Sequence, residues 1–308
     1  IADRDKLPSY DPAQEPQKTS KNMLAGLAAL ALIGTKKEEK EEKEELEFFK
    51  GGDLGEIDDD AKWGDLSGSW DQPFTFEIEK NGQVLFYFGA NHSTDPENNQ
   101  FPILRTYWKK FLEKTKGKDK IVLIEGGLRP LAQTEKEAIE KSSEGGLATY
   151  LANKENVPIT SPDIDSDDFA KSIPDLDPQQ WFLASFLRWF ELFQKNKKVK
   201  ENTLEEICKI IKRKDYWKDV EVTPEKFKIL YKQYIGKDFH EDESQNNFIN
   251  PNRDDAITNK LIRMHSDARE VKIVEDAHKY WQEGKNIFIV FGSGHLIIQR
   301  PALETLLK

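Results

Sequence analysis

One cysteine, Cys208, stands among 308 residues, which excludes an internal disulfide framework and any cysteine-rich zinc site. Basic charge is in deficit. Lys plus Arg number 46 against 56 Asp plus Glu, a formal net charge of −10, and no basic patch interrupts the acidic balance. Nucleic acid is therefore not expected as a partner, because phosphate neutralisation dominates that affinity. Several chemical signatures are missing as well. There is no Gly-x-Ser-x-Gly elbow, no phosphate-binding P-loop and no His-Glu-x-x-His helix. Gly292-Ser-Gly-His-Leu-Ile lacks the third glycine of a dinucleotide fingerprint. Aromatic residues are not scarce: 18 Phe, 7 Trp and 8 Tyr suffice to fill a core.

Residues 1–72 read as a tail. Pro8, Pro12 and Pro16 punctuate an unstructured start. Met23 to Ile33 is apolar all round but short of the ~20 residues that span a bilayer. It has the length of a signal-peptide apolar region, with Lys18 and Lys21 ahead of it. The alternative is an Ala/Leu helix packed on the body or a partner, so membrane association through 23–33, localisation and oligomeric state all stay open. Lys36 to Lys50 is mostly Lys and Glu with Glu39–Lys43 in the favourable order, a solvated helix or charged spacer. Gly51 to Ser69 reads as a Gly/Asp linker. Its Asp58-Asp59-Asp60 lacks the alternating ligands of a calcium loop.

From Pro73 onward the pattern is that of an α/β domain. Phe74 to Glu79, Asn81-Gly82 and Gln83 to Phe88 predict a β-hairpin with a type I′ turn. The second strand is apolar enough to be covered on both faces. Helical stretches follow at Glu97 to Lys116, Glu135 to Asn153 and Asp254 to Gln282, alternating with strands at Lys120 to Ile124, Val157 to Thr160 and Asn286 to Phe291. Residues 167–250 form a mostly helical insertion, in which Asp177-Pro178 and Thr223-Pro224 each supply an N-cap and a first-turn proline. The expectation is a mostly parallel, mixed central sheet covered by helices, with the hairpin at its start and the insertion before its last strand.

Ligands in such sheets bind beyond the carboxyl ends of the strands. That rule brings His92, Glu125, Asp163 and His295 to one edge. Gly89-Ala-Asn-His92 and Gly292-Ser-Gly-His295 each follow a buried strand at once, so the histidine projects over the sheet edge, where an imidazole can bind a divalent metal or carry a proton. The alternative is a pair of hydrogen-bonded core histidines. Glu125 ends an apolar strand, and its charge needs a metal, an arginine or several donors there. Glu144 stands before Gly145-Gly146 at a possible helix start, where a carboxylate suits the dipole. Arg253, at the head of the long helix, opposes the dipole and so pairs with Asp254 or Asp255 or points at a site. Cys208 reads as core, His240 lies in an acidic loop, and His265 and His278 are too far apart on one helix to share a metal.

Phe88-Gly-Ala-Asn-His92, Ile124-Glu125-Gly, Asn252-Arg253-Asp254 and Phe291-Gly-Ser-Gly-His295-Leu resemble, in order and strand context, the TraB/TIKI superfamily, which takes in erythromycin-esterase-like and ChaN-like proteins. The resemblance covers Phe74 to Lys308. It implies an α/β fold with paired Gly-x-x-His motifs, a glutamate and an arginine in one cleft. TIKI-like members are metal-dependent proteases, esterase-like members open a macrolide lactone, ChaN-like members bind haem, and some TraB-type members regulate peptide pheromones. The insertion 167–250 departs from that pattern. The resulting expectation is a metal-dependent hydrolase, foremost a peptidase, acting on a peptide or small ester. His92, His295 and Glu125 would hold a divalent ion (Mn, Co, Zn or Fe), or the histidines alone would while Glu125 takes a proton from water. Arg253 would steady an oxyanion or a substrate carboxylate, with Glu144 and Asp163 as second-rank ligands. The rival expectation is a non-catalytic haem- or peptide-binding regulatory protein of the same fold.

Overall fold

The computed structural model describes residues 67–69, 72–195 and 199–307; the readings made for residues 1–66, among them the apolar run and the Lys/Glu stretch, lie outside these. Six strands form one sheet: β1 (Ser67–Ser69), β2 (Gln72–Lys80), β3 (Gln83–Ala90), β4 (Lys120–Ile124), β5 (Ile159–Thr160) and β6 (Asn286–Gly292). Their order is β1-β2-β3-β6-β4-β5. β2 runs antiparallel to both of its neighbours, β1 and β3, and β3, β6, β4 and β5 run parallel. The α/β class, the mixed sheet and the hairpin are as the sequence leads one to expect. Asn81 (φ 55) and Gly82 (φ 77) both adopt the left-handed conformation a type I′ turn demands. One boundary moves. The sheet begins inside the stretch read as linker, because Ser67–Ser69 pairs with β2 across a register irregularity, and β2 itself starts at Gln72.

Strand alternation divides the core into two layers. On one face Val84, Phe86 and Phe88 of β3, Val122 and Ile124 of β4, and Phe288 and Val290 of β6 pack on α1 (Gln100–Lys114) and α2 (Glu135–Lys154). On the other, Leu85, Tyr87, Ile121, Leu123, Ile287, Ile289 and Phe291 meet α8 (Ile257–Gln282) and α9 (Ser293–Leu307). Each large side chain so buried is worth about 1.5–3 kcal/mol. Such double coverage explains why β3 and β6 read as continuous apolar runs.

The insertion is helical, as its caps foretell: α3 (Ser166–Ser172), α4 (Pro178–Lys195), α5 (Thr203–Ile211), a 3-10 turn at Asp215–Trp217, α6 (Pro224–Ile235) and the short α7 (Asn246–Ile249). Asp177 Oδ1 accepts the Gln179 N–H at 2.8 Å and Thr223 Oγ1 the Lys226 N–H at 3.1 Å. Cys208 is buried in α5, as expected. α8 starts at Ile257 rather than Asp254. Ala256 is extended and its N–H is capped by the Asn259 side chain, while Asp254 and Asp255 bind arginines. Among the described residues no helix is long and apolar enough to cross a membrane.

Candidate active site

β6 lies between β3 and β4, although it comes last in the chain. Ala90 of β3 pairs with Gly292 and Ile124 of β4 with Val290, so the ends of the three strands abut. His92, Glu125 and His295 therefore meet beyond one sheet edge. His295 sits in the first turn of α9, which starts at Ser293. Ser293 ties the two Gly-x-x-His segments together, because its Oγ donates to Asn91 Oδ1 at 2.8 Å and lies within bonding distance of the Gly89 and Ala90 carbonyls. Gly89 is needed for that closeness: a Cβ there would lie 3.1 Å from both Leu296 and the Ser293 Cα.

Each histidine is held from behind by a buried carboxylate. His92 Nδ1 lies 2.5 Å from Glu144 Oε1, and His295 Nδ1 lies 2.6 Å from Glu270 Oε1. Their Nε2 atoms turn toward Glu125, at 3.9 Å from Oε2 for His92 and 3.3 Å from Oε1 for His295. Glu144 reaches His92 because α2 breaks at Ser142 and Ser143 (φ 55), so a second helical segment begins at Glu144, the helix start read from Gly145-Gly146. Ser143 Oγ accepts the Ser93 N–H at 3.0 Å and pins the His92 loop. Behind His295 a buried chain continues: Gln299 Nε2 donates to Glu270 Oε2 at 2.6 Å and Tyr87 O–H to Gln299 Oε1 at 2.9 Å.

Glu125 collects the donors its position demands. Gly292 N–H donates to Oε2 at 2.8 Å, and Arg269 Nη2 donates to Oε1 at 3.2 Å. Arg269 also donates from Nε to Asp163 Oδ1 at 2.8 Å, and Asp163 accepts the Gly126 N–H. Arg129 donates to the Glu125 carbonyl at 2.8 Å. Gly126 adopts a left-handed backbone (φ +74) that favours glycine and strains any other residue.

Charge follows from these contacts. Burial opposes ionisation of Glu125, but His295, Arg269 and the Gly292 N–H outweigh it and hold the carboxyl well below the usual range. Burial also opposes Glu144, and the His92 contact overrides it downward. The Glu144 hydrogen bond raises the pKa of His92. For His295, burial resists the charge while Glu125 and Glu270 win, raising it to about 9.

Four of the expected residues, His92, Glu125, Asp163 and His295, thus converge, with Glu144 beside them. Arg253 does not join them. It is an exposed cation paired with Asp255, the bland alternative foreseen for it, and the arginine of the cleft is Arg269. Arg269 and Glu270 went unread in the sequence. A signal existed: on α8 they occupy the stripe that runs from Ile262 and His265 to Ile273 and Ala277, where charge interrupts apolar spacing.

The donor set has a property that bears on a metal. With Nδ1–H given to a carboxylate, a neutral imidazole turns the Nε2 lone pair toward the carboxylate oxygens of Glu125. That contact repels unless a positive species lies between, either a proton on each Nε2 or a cation shared among them. Among the described residues no three His, Cys, Asp or Glu side chains form a ready metal cage, and the Glu125 oxygens are partly engaged by Arg269 and Gly292. The chemistry of two carboxylate-backed imidazoles facing a carboxylate nevertheless fits a divalent ion. No protein-family model, curated protein or solved structure matches the chain.

Proposed function

We propose that the chain is a metal-dependent hydrolase of peptides or small esters. The observation that carries this reading is the pair of Nε2 atoms facing Glu125, each imidazole fixed from behind by its own buried carboxylate. His92, His295 and Glu125 are the residues that would hold the ion. When bound, a divalent ion lowers the pKa of water at the site and polarises a scissile carbonyl. Glu144 and Glu270 hold the Nδ1 protons and so fix the tautomer that leaves Nε2 free. Arg269 and the Gly292 N–H aim Glu125, and its depressed pKa suits a ligand better than a general base. The His92 side chain, 62% exposed, is the open side where substrate enters. The resemblance to the TraB/TIKI superfamily supports the same reading.

The test is the metal content of protein purified without added metal, wild type beside a His92→Ala/His295→Ala variant, followed by turnover of fluorogenic peptides and nitrophenyl esters. Near-stoichiometric metal in the wild type, lost in the variant together with turnover, is the expected result. Adding the ion to chelator-treated protein in weak buffer should also release protons, because ion and Nε2 protons compete for the same atoms. No bound metal, and no turnover on adding Mn, Co, Zn or Fe, would overturn the proposal.

A further inference from the structure

A second group of polar side chains lies beside the cleft, on the face that α4 turns toward α8. Trp181, Ser185 and Arg188 follow one another at helical spacing, so they share one side of α4. Opposite them on α8 is His265, one turn before Arg269. Arg188 Nη1 donates to His265 Nδ1 at 3.1 Å. Burial, with the charges of Arg188 and Arg269, drives the His265 pKa down to about 3, so the ring is neutral and its proton resides on Nε2. That Nε2, the Trp181 Nε1 and the Ser185 Oγ are all buried with no hydrogen-bond partner among the described residues. The Trp181 and His265 ring centres lie 5.7 Å apart, and Phe169 meets the His265 ring edge to face at 5.0 Å.

Arg188 is the anomaly that gives this group a meaning. Burial, and then repulsion from Arg269, lowers its pKa to about 10, and no carboxylate pairs with it among the described residues. Arg269 cannot share its own anions, since Glu125 and Asp163 already occupy it. A half-buried guanidinium without an anion is costly, and three buried donors without acceptors add to that cost. Everything missing is an acceptor, and the uncompensated charge is a single positive one. A phosphate dianion would exceed it, whereas one carboxylate would match it and take the planar guanidinium fork.

We propose that Arg188, oriented by His265 Nδ1 and joined by the donors of Trp181 and Ser185 on the same side of α4, binds a carboxylate of the substrate next to the Glu125 cleft, so that the hydrolase prefers substrates carrying an acid group near the scissile bond. This rests on the hydrolytic reading above for its use, but not for the binding itself. The helical insertion thereby sets substrate preference, because it carries the arginine to a sheet edge that supplies the hydrolytic groups.

The test measures binding of N-acetylglycine, its neutral amide and inorganic phosphate by calorimetry to the full chain in chelator, for wild type, Arg188→Met and His92→Ala/His295→Ala. The acid should bind wild type at least about tenfold more tightly than the amide or phosphate, a difference of about 1.4 kcal/mol. The preference should vanish in Arg188→Met and persist in the double histidine variant, so that failure of the hydrolytic reading leaves a separate signature. Without ligand, Arg188→Met should unfold no earlier than wild type, since it removes a half-buried charge that no carboxylate compensates. Equal binding of acid and amide, a preference that survives Arg188→Met, tighter binding of phosphate, or early unfolding of Arg188→Met would each overturn the proposal.

Discussion

Replacing Arg269 by methionine removes the cation that bridges Glu125 and Asp163. The Arg269, Glu125 and Asp163 side chains are 17%, 20% and 13% exposed, so water screens their contacts weakly. Methionine keeps the apolar stem and deletes the Asp163 and Glu125 bonds of 2.7 and 3.2 Å. Breaking a buried pair from one side costs about 3–5 kcal/mol. Glu125 retains the Gly292 N–H and His295, and Asp163 retains the Gly126 N–H, which places the cost near the middle, about 4 kcal/mol. For a body of this size a urea slope of about 2.5 kcal/mol/M turns that into a midpoint lower by about 1.5 M. Asp163→Asn removes the anion that suffers most, so Arg269→Met/Asp163→Asn should cost clearly less than the two single changes summed. Chemical unfolding of the four proteins measures both quantities. A midpoint shift under about 0.4 M, or strict additivity, would refute the view that the guanidinium serves as a buried clamp.

Stability of metal-free protein should depend on pH through His295. Its pKa rises from the ordinary 6.5 to about 9, so its contribution of about 3 kcal/mol is complete below pH 6.5 and disappears as pH climbs through 9. Unfolding free energies of wild type and His295→Gln should therefore converge between pH 6 and 10; parallel profiles would contradict this. Gly292→Ala would set a Cβ 2.9 Å from His92 Nε2 and 3.4 Å from Glu125 Oε2. Since the His92 ring can swing outward, unfolding should move by less than about 1 kcal/mol while metal binding and turnover fall away; retained metal would show that His92 is not a ligand.

Much of this architecture is legible along the chain because it rests on local physics. Asn81-Gly82 announces its turn through two left-handed residues, and the β3 and β6 segments announce two-sided burial by unbroken apolar runs. Asp177-Pro178 and Thr223-Pro224 mark helix starts through hydrogen bonds that span two or three residues. The same locality misleads at Gly51 to Ser69, where a small polar stretch reads as linker although Ser67–Ser69 takes a strand's place by pairing with β2. It misleads again at Arg253, whose position at a helix head is conspicuous in the sequence and which spends its charge on Asp255 at the surface.

Sequence order alone sufficed to place His92, Glu125, Asp163 and His295 at strand ends, because a carboxyl-end rule needs only the strands and their direction. It could not assign their partners. Glu270 behind His295, Arg269 across Glu125 and Asp163, and Arg188 against His265 are contacts between α4 or α8 and elements far away in the chain. Only the packing of those helices on the sheet edge decides them, since the energy of a buried charge is set by which opposite charge reaches it, and no local pattern records that distance.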